Sequence, residues 1–257
     1  MNILVCIKQV PDLESKFKIN DNGDWVKETY VGFRMNEYDE YAIEEAVQLK
    51  EKLGASEVDI TVLSIGPSRV EEAIKKALAM GCDRGVHIED NEEYKKDPFR
   101  KASIIYEFAK DKNFDIVFLG MQSEDRGSAQ VGAHLGELLK VNCVTTVIDF
   151  EYGDNLLKLK RELEGGIRAL VECKLPAVLT CQLGLNIPRY PTLPNIMKAK
   201  RKELKSFSVN DFDKAENLYT IEKIAFPEKK GKARIIEGST DELVGEVLKL
   251  FKEKLTL

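Results

Sequence analysis

Short apolar strands alternating with amphipathic helices, from Met1 to Leu139, constrain this chain more than any other feature. Ile3 to Ile7 reads as a first strand. Asn36 then caps a helix, with Asp39 three residues on as a weak variant of the capping box. Ala42, Ile43, Ala46, Val47 and Leu49 fall near helical spacing, and Gly54 ends the run. Val58 to Ser64 is a second strand, followed by Gly66-Pro67. Ser68 with Glu71 forms a better capping box, opening a helix through Met80 that stops at Gly81. Arg84 to Ile88 is a short strand, and Pro98 starts a helix to about Lys112. Phe114 to Gly120 is a strand whose apolar run Ile116 to Leu119 suits cover on both faces. A helix beginning around Ser128 to Gly132 follows it, to Leu139. Strands and helices at this spacing predict an α/β fold, a doubly wound, mostly parallel sheet.

In such sheets ligands bind at the carboxyl ends of strands. Three of these ends carry polar or glycine-containing loops here: Lys8 to Asp12, Gly66-Pro67, and the stretch from Met121 to Gly127. The last holds Gln122, Ser123, Glu124, Asp125 and Arg126. Free N–H groups at the helix start that follows suit a phosphate, so a nucleotide phosphate near Gly127 to Gly132 is one reading. An ordinary strand-to-helix turn is the other. The Rossmann fingerprint and the P-loop are both absent, so a mononucleotide-type site on a less codified loop is expected. Glu89 to Lys96 reads as a solvated charged loop. Phe17 to Val31 reads as a β-hairpin inserted on the core, turning at Asp21-Asn22-Gly23.

Composition narrows the function classes. Basic and acidic residues number 39 and 44, for a net charge of −5. That balance argues against a dedicated nucleic-acid binder. No apolar run approaches the ~20 residues of a membrane span. The start, Met1-Asn2-Ile3-Leu4-Val5, enters a strand pattern without the features of a signal peptide, so a cytoplasmic protein is expected. The five cysteines, Cys6, Cys82, Cys143, Cys173 and Cys181, include no Cys-x-x-Cys pair. With only His87 and His134 beside them, they suggest no metal framework. They read mostly as small buried apolar side chains. No carboxylate pair or activated nucleophile points to catalysis.

Beyond Val141 the pattern changes. Cys143 to Phe150 is a strand, Leu156 to Leu163 and Ile167 to Cys173 form a hairpin around Glu164-Gly165-Gly166, and Ala177 to Cys181 is a further strand. Three prolines between Pro188 and Pro194 disfavour helix and favour an extended loop from Ile187 to Lys198. Leu193, Ile196 and Met197 ride on it. It is either a partner-docking arm or a loop packed on its own domain. Ser206 to Gly238 shows little regular pattern. Ser239 with Glu242 caps a last helix through Lys254, with Leu243, Val247, Leu248 and Phe251 on one face. The expected organisation is a nucleotide-binding domain over 1–205, including an arm at 184–205, and an extension over 206–257 whose helix packs on a partner or on its own core.

Several blocks resemble a known family. They are Met35-Asn36 with Glu44 to Lys52; Ala77 to Gly85; Arg161 to Gly166 leading to Lys174-Leu175-Pro176; and Asn186-Ile187-Pro188-Arg189-Tyr190 through Thr192 to Lys200. Together they are similar to the small (beta) subunit of an electron-transfer flavoprotein, over nearly the whole length. The resemblance implies an adenine-nucleotide-binding type of sheet and a heterodimer with a larger alpha subunit, which mainly holds the redox-active FAD. It implies AMP as the ligand of this chain. The contacts map onto Cys6, onto Asn36, Glu37, Tyr38 and Asp39, and onto Ile65 and Gly66. They continue through Gln122, Ser123, Asp125, Gly127, Ser128, Ala129, Gln130, Val131 and Gly132. The arm corresponds to a recognition loop for acyl-CoA dehydrogenases, with Leu193 its anchor beside Pro194, Ile196 and Met197. Glu162 matches an acidic residue near the flavin end of the subunit interface.

The match has departures. Arg168 stands where the family prefers Glu or Gln, and Leu13 where some members place a tyrosine near the flavin. Ala129-Gln130-Val131-Gly132 resembles flavin-bifurcating members, in which a second FAD replaces AMP and NADH is used, whereas Glu124 and Arg126 do not follow that subgroup. The expected function is electron carriage with no bond-making chemistry on this subunit. The alternatives are the bifurcating carrier and a stand-alone adenine-nucleotide-binding regulator.

Overall fold

The computed structural model describes residues 1–228, 231 and 235–255. They form two compact units, Met1–Ile224 and Ala225–Leu257.

In the first unit the chain forms β1 (Asn2–Ile7), β2 (Gln9–Pro11), β3 (Phe33–Met35), α1 (Glu37–Leu53), β4 (Asp59–Gly66), α2 (Glu71–Met80) and β5 (Arg84–Glu89). It continues through α3 (Pro98–Ala109), β6 (Ile116–Gly120), α4 (Val131–Leu139), β7 (Asn142–Gly153), β8 (Leu156–Glu162) and β9 (Arg168–Lys174). It closes with β10 (Ala177–Cys181), α5 (Leu193–Ala199) and β11 (Leu204–Ser208). Nine strands make one sheet in the order β11-β5-β4-β1-β6-β10-β7-β8-β9. It is parallel from β11 to β7 and antiparallel from β7 to β9. This is the expected α/β architecture, with β7–β9 as an antiparallel extension.

Side-chain alternation along β1 explains the double winding. Ile3, Val5 and Ile7 face a core shared with Ile43 and Val47 of α1 and Ile74 and Leu78 of α2. Leu4 and Cys6 face the opposite core, shared with Ile104 and Phe108 of α3 and Leu135 of α4. A strand clad on both faces must be apolar throughout, which is why Ile3–Ile7 is. β4 and β5 lie to one side of β1 and β6 to the other, so the strand order reverses between β1 and β6. A crevice forms there, at the carboxyl ends.

Several local expectations are corrected. Lys8–Asp12 is not simply a loop, since β2 pairs antiparallel with β3 through Gln9 and Met35. The hairpin at 17–31 is reduced to one bridge, Ile19 with Val26, beside the buried Trp25. Ser68 opens a 3-10 turn without a side-chain cap, and the α-helix starts only at Glu71. Three prolines do not exclude a helix: Pro194 sits in the first turn of α5, where no N–H is missed, and Thr192 caps it. The 206–238 stretch begins inside β11, which pairs parallel with β5. Its Phe207 packs with Phe108 and Phe212. Residues 229–230 and 232–234 of that stretch lie outside the described residues, as do residues 256–257 of the expected extension.

The second unit contains α6 (Thr240–Leu255). Glu242 accepts hydrogen bonds from the Ser239 N–H and hydroxyl, both at 2.8 Å, so the cap stands where its sequence signature lies. No helix among the described residues is long and apolar enough to cross a membrane.

Candidate functional site

The crevice between β1 and β6 is a cavity of about 300 Å³. Cys6, Ile7 and Lys8 reach it from the end of β1, Leu63 and Ile65 from β4, and Leu119 to Ser123 from β6 and the loop beyond. Residues 128–132 close another side, at the start of α4.

One carboxylate sets the geometry of this rim. Asp39 Oδ2 accepts the Lys8 N–H at 2.6 Å and its Oδ1 accepts the Gly120 N–H at 3.0 Å. The first turn of α1 thereby clamps the ends of β1 and β6 together. Asn36 lies at the α1 N-cap, yet its side chain does not cap the helix. Its amide donates to the Gln122 carbonyl at 2.9 Å and its Oδ1 accepts the Glu124 N–H at 3.1 Å. The polar pair expected to cap the helix therefore holds the loop at 120–124. Two glycines serve the same closeness. A Cβ on Gly120 would lie 2.3 Å from Asp39 Oδ1, and one on Gly132 would lie 2.2 Å from the Thr180 methyl.

Charge around the cavity is paired. Lys8 Nζ meets Asp125 at 2.5 Å and Lys101 meets Glu93 at 2.7 Å. Burial pushes Glu93 up, but Lys101 and Lys8 outweigh it and hold the carboxyl below the usual range. Asp125 behaves likewise: burial raises it, and the Lys8 charge holds it low. Burial pushes the Cys6 thiol far up, so it is an inert apolar wall. Residues 89–96 are only partly solvated: Glu89, Asn91, Glu92 and Lys95 are exposed as expected. Asp90 and Glu93 are buried, and Lys96 meets Asp90 at 2.7 Å. Each of these acids has a lysine partner, which is the condition for burying a charge.

The start of α4 differs from that of α3. Asp97 caps α3 by accepting the Arg100 N–H, while no side chain caps α4 at Gln130. The helix begins at Val131, later than the Ser128 start expected, because Ala129 takes a positive φ of 52°. Uncapped first-turn N–H groups suit an anion. The donor set around them, with Lys8, Lys101 and Arg126 on the same cavity, fits a nucleotide phosphate.

Of the residues expected at the site, the structure brings Cys6, Asn36, Asp39, Ile65, Gln122, Ser123, Ser128, Ala129, Gln130, Val131 and Gly132 to the cavity. Glu37 is exposed, and Tyr38 accepts the Gln122 side-chain amide at 3.1 Å from outside the lining. Gly66 lies behind, where a Cβ would strike Val70 at 2.6 Å. Asp125 acts through Lys8, and the Gly127 N–H turns the loop on the Ser123 carbonyl. Lys8 lines it from the strand end where a ligand was expected, and unforeseen lining residues are Glu93, Lys96, Asp97 and Lys101, with Tyr219 and Ile221 from far along the chain. Nothing in the local pattern pointed to the pairing of Glu93 with Lys101, or to 219 and 221.

Away from the cavity, Leu193 is 79 % exposed and Met197 69 %, with Ile196 and Pro194 also on the surface. Glu162 accepts the Gln182 side-chain amide at 3.0 Å at the end of β8. Among the described residues no His, Cys, Asp and Glu cluster has the makings of a metal site.

Residues 24–212 match the model of the electron transfer flavoprotein domain. The electron transfer flavoprotein subunit beta of Bacillus subtilis (strain 168) is 38 % identical over 99 % of this chain and 98 % of its own length. That of Methylophilus methylotrophus is 36 % identical over 98 % of both. The chain belongs to the electron transfer flavoprotein beta-subunit family. The Homo sapiens member is 35 % identical over 96 % of each chain. The family is one of flavoprotein electron carriers.

Proposed function

We propose that this chain is the nucleotide-holding half of a two-subunit electron carrier that accepts electrons from acyl-CoA-type dehydrogenases and passes them to a downstream acceptor. The observation that carries the reading is the cavity at the strand-order reversal, with an uncapped helix start and basic side chains on its wall. Its volume of about 300 Å³ suits a mononucleotide moiety, the part that AMP and a second FAD share. Small-molecule pockets span roughly 300–1,000 Å³, so this one is at the lower end. The N–H groups at Val131 and Gly132, with Lys8 and Lys101, would take the phosphate. Leu63, Ile65 and Leu119 would line the apolar part.

FAD, held mainly by the alpha subunit, supplies the electron-carrying chemistry when bound. The work of this chain is positional. Glu162 would sit at the flavin end of the interface, and the arm would present Leu193 to a dehydrogenase. Burying one leucine contributes on the order of 1.5–3 kcal/mol, which suits a transient contact.

The test is to purify the chain with its alpha subunit and count the bound groups. One FAD and one AMP per heterodimer is the expected result. Two FAD and no AMP would transfer the reading to a bifurcating carrier that also uses NADH. A chain that never forms a yellow complex, yet responds alone to adenine nucleotides, would overturn it. Leu193→Ala should slow electron transfer from the dehydrogenase at unchanged flavin content; an unchanged rate would remove the docking role.

A further inference from the structure

We infer that residues 217–224 form a strap across the cavity, and that Tyr219 and Ile221 on it are binding residues that govern nucleotide release. The inference rests on the reading that the cavity takes an adenine nucleotide.

The strap is held at both ends. At the first, Arg100 forks onto Asp213 with bonds of 2.8 and 2.7 Å. Asn217 accepts the Asp97 N–H at 3.1 Å and donates to the Lys95 carbonyl at 2.9 Å. The Asp97 carboxylate divides its work. Oδ1 caps α3 through the Arg100 N–H at 2.8 Å, and Oδ2 accepts the N–H groups of Leu218 at 2.6 Å and Tyr219 at 3.3 Å. A buried carboxylate with three backbone donors is a rigid anchor. At the far end the Ile224 N–H donates to the Gly23 carbonyl at 2.8 Å. Gly23 belongs to the bridged turn that carries Trp25, and Trp25 stacks on Tyr94 with ring centroids 5.3 Å apart. Arg126, a cavity residue, lies over the same Trp25 ring at 4.8 Å.

Between its anchors the strap turns two apolar side chains to the cavity, Tyr219 and Ile221, while their neighbour Leu218 is 68 % exposed and does not line it. Tyr219 remains 50 % exposed and Ile221 40 %. Apolar groups half-covered at the mouth of a cavity gain burial when a ligand fills it, and a phenol ring suits the face of a purine. Anchored ends with a ligand-facing middle make the strap a barrier to exit.

The experiment uses the heterodimer loaded with radiolabelled AMP and follows release after dilution into unlabelled AMP. The double variant Tyr219→Ala, Ile221→Ala should release AMP roughly tenfold faster, the effect of losing about 1.4 kcal/mol of apolar burial. Bound FAD should be unchanged. Asn217→Ala, which loosens an anchor outside the cavity, should act in the same direction. Leu218→Ala should release at the parental rate. Parental release from both the double variant and Asn217→Ala would overturn the strap. A parental heterodimer that contains no adenine nucleotide would overturn the cavity reading, and the strap with it. That failure is visible before any variant is made, so the two are distinct.

Discussion

Asp39 shows how much of the site depends on single side chains. Both of its oxygens are engaged by backbone N–H groups, so it holds β1 and β6 at the spacing the cavity requires. Burial pushes its carboxyl up to about 7, against the opposing pull of those N–H groups and of Lys8. An unfolded aspartate titrates near ~3.9. Its folded value is raised, so the stability it contributes is fully present below the unfolded value and is lost as pH rises to the folded one. Asp39→Asn does not titrate. The stability of the parent relative to Asp39→Asn should fall between pH 5 and about 7 and level off above. Thermal or urea melts of both proteins across that range check it, and a difference that stays constant from pH 5 to 8 would contradict it. Gly132 makes a second point at this scale. Gly132→Ala would drive a methyl into Thr180, and overpacking of this kind costs about 1–3 kcal/mol.

At the scale of elements, α1 joins the cavity to the arm. Its N-cap is Asn36, its first turn carries Asp39, and its later turns carry Glu44, Glu45 and Glu51. Arg189, at the base of the arm, donates to Glu44 from Nε at 2.8 Å and from Nη2 at 3.0 Å, and to Glu51 from Nη1 at 2.6 Å. Asn186 adds a bond to Glu45 at 2.9 Å. Burial pushes Glu44 up, but the Arg189 bonds outweigh it and hold the carboxyl below its usual range. Arg189→Ala would leave Glu44 buried without its partner, costing about 2 kcal/mol. It should lower the melting point and slow electron transfer from the dehydrogenase while FAD content stays constant. Arg189→Lys should recover little, because one ammonium cannot replace the fork. A parental melting point in Arg189→Ala would refute the pin. The alternation of elements was legible because apolar period and glycine stops are local signals, as at Ala42–Leu49 and Gly54. What Asn36, Asp39 and Glu93 do was not legible. Their partners lie at 8, 101, 120 and 122–124, and pairing across such distances leaves no periodic trace.

For the whole molecule, the two units differ in how they satisfy their apolar surface. The first encloses two cores around one sheet, and β11, which follows the arm, covers the β5 edge. That closing strand was missed from sequence because Lys205, Ser206 and Ser208 dilute its two apolar anchors, Leu204 and Phe207. In the second unit none of the α6 residues is buried. Val244, Val247, Leu248, Phe251 and Leu255 are exposed on a helix whose charges lie between them. A helix of that pattern gains stability by covering its apolar stripe. The alpha subunit proposed above would supply that cover, each buried Leu or Phe contributing roughly 1.5–3 kcal/mol. A chain ending at Ile224 should therefore unfold with the cooperativity of the first unit and keep its cavity. Its affinity for the alpha subunit should fall by at least about tenfold, measured by titration of the two purified subunits. If the shortened chain binds the alpha subunit as tightly as the full one, the stripe on α6 is not part of that interface. If it fails to fold, the first unit is not independent of the residues that follow it.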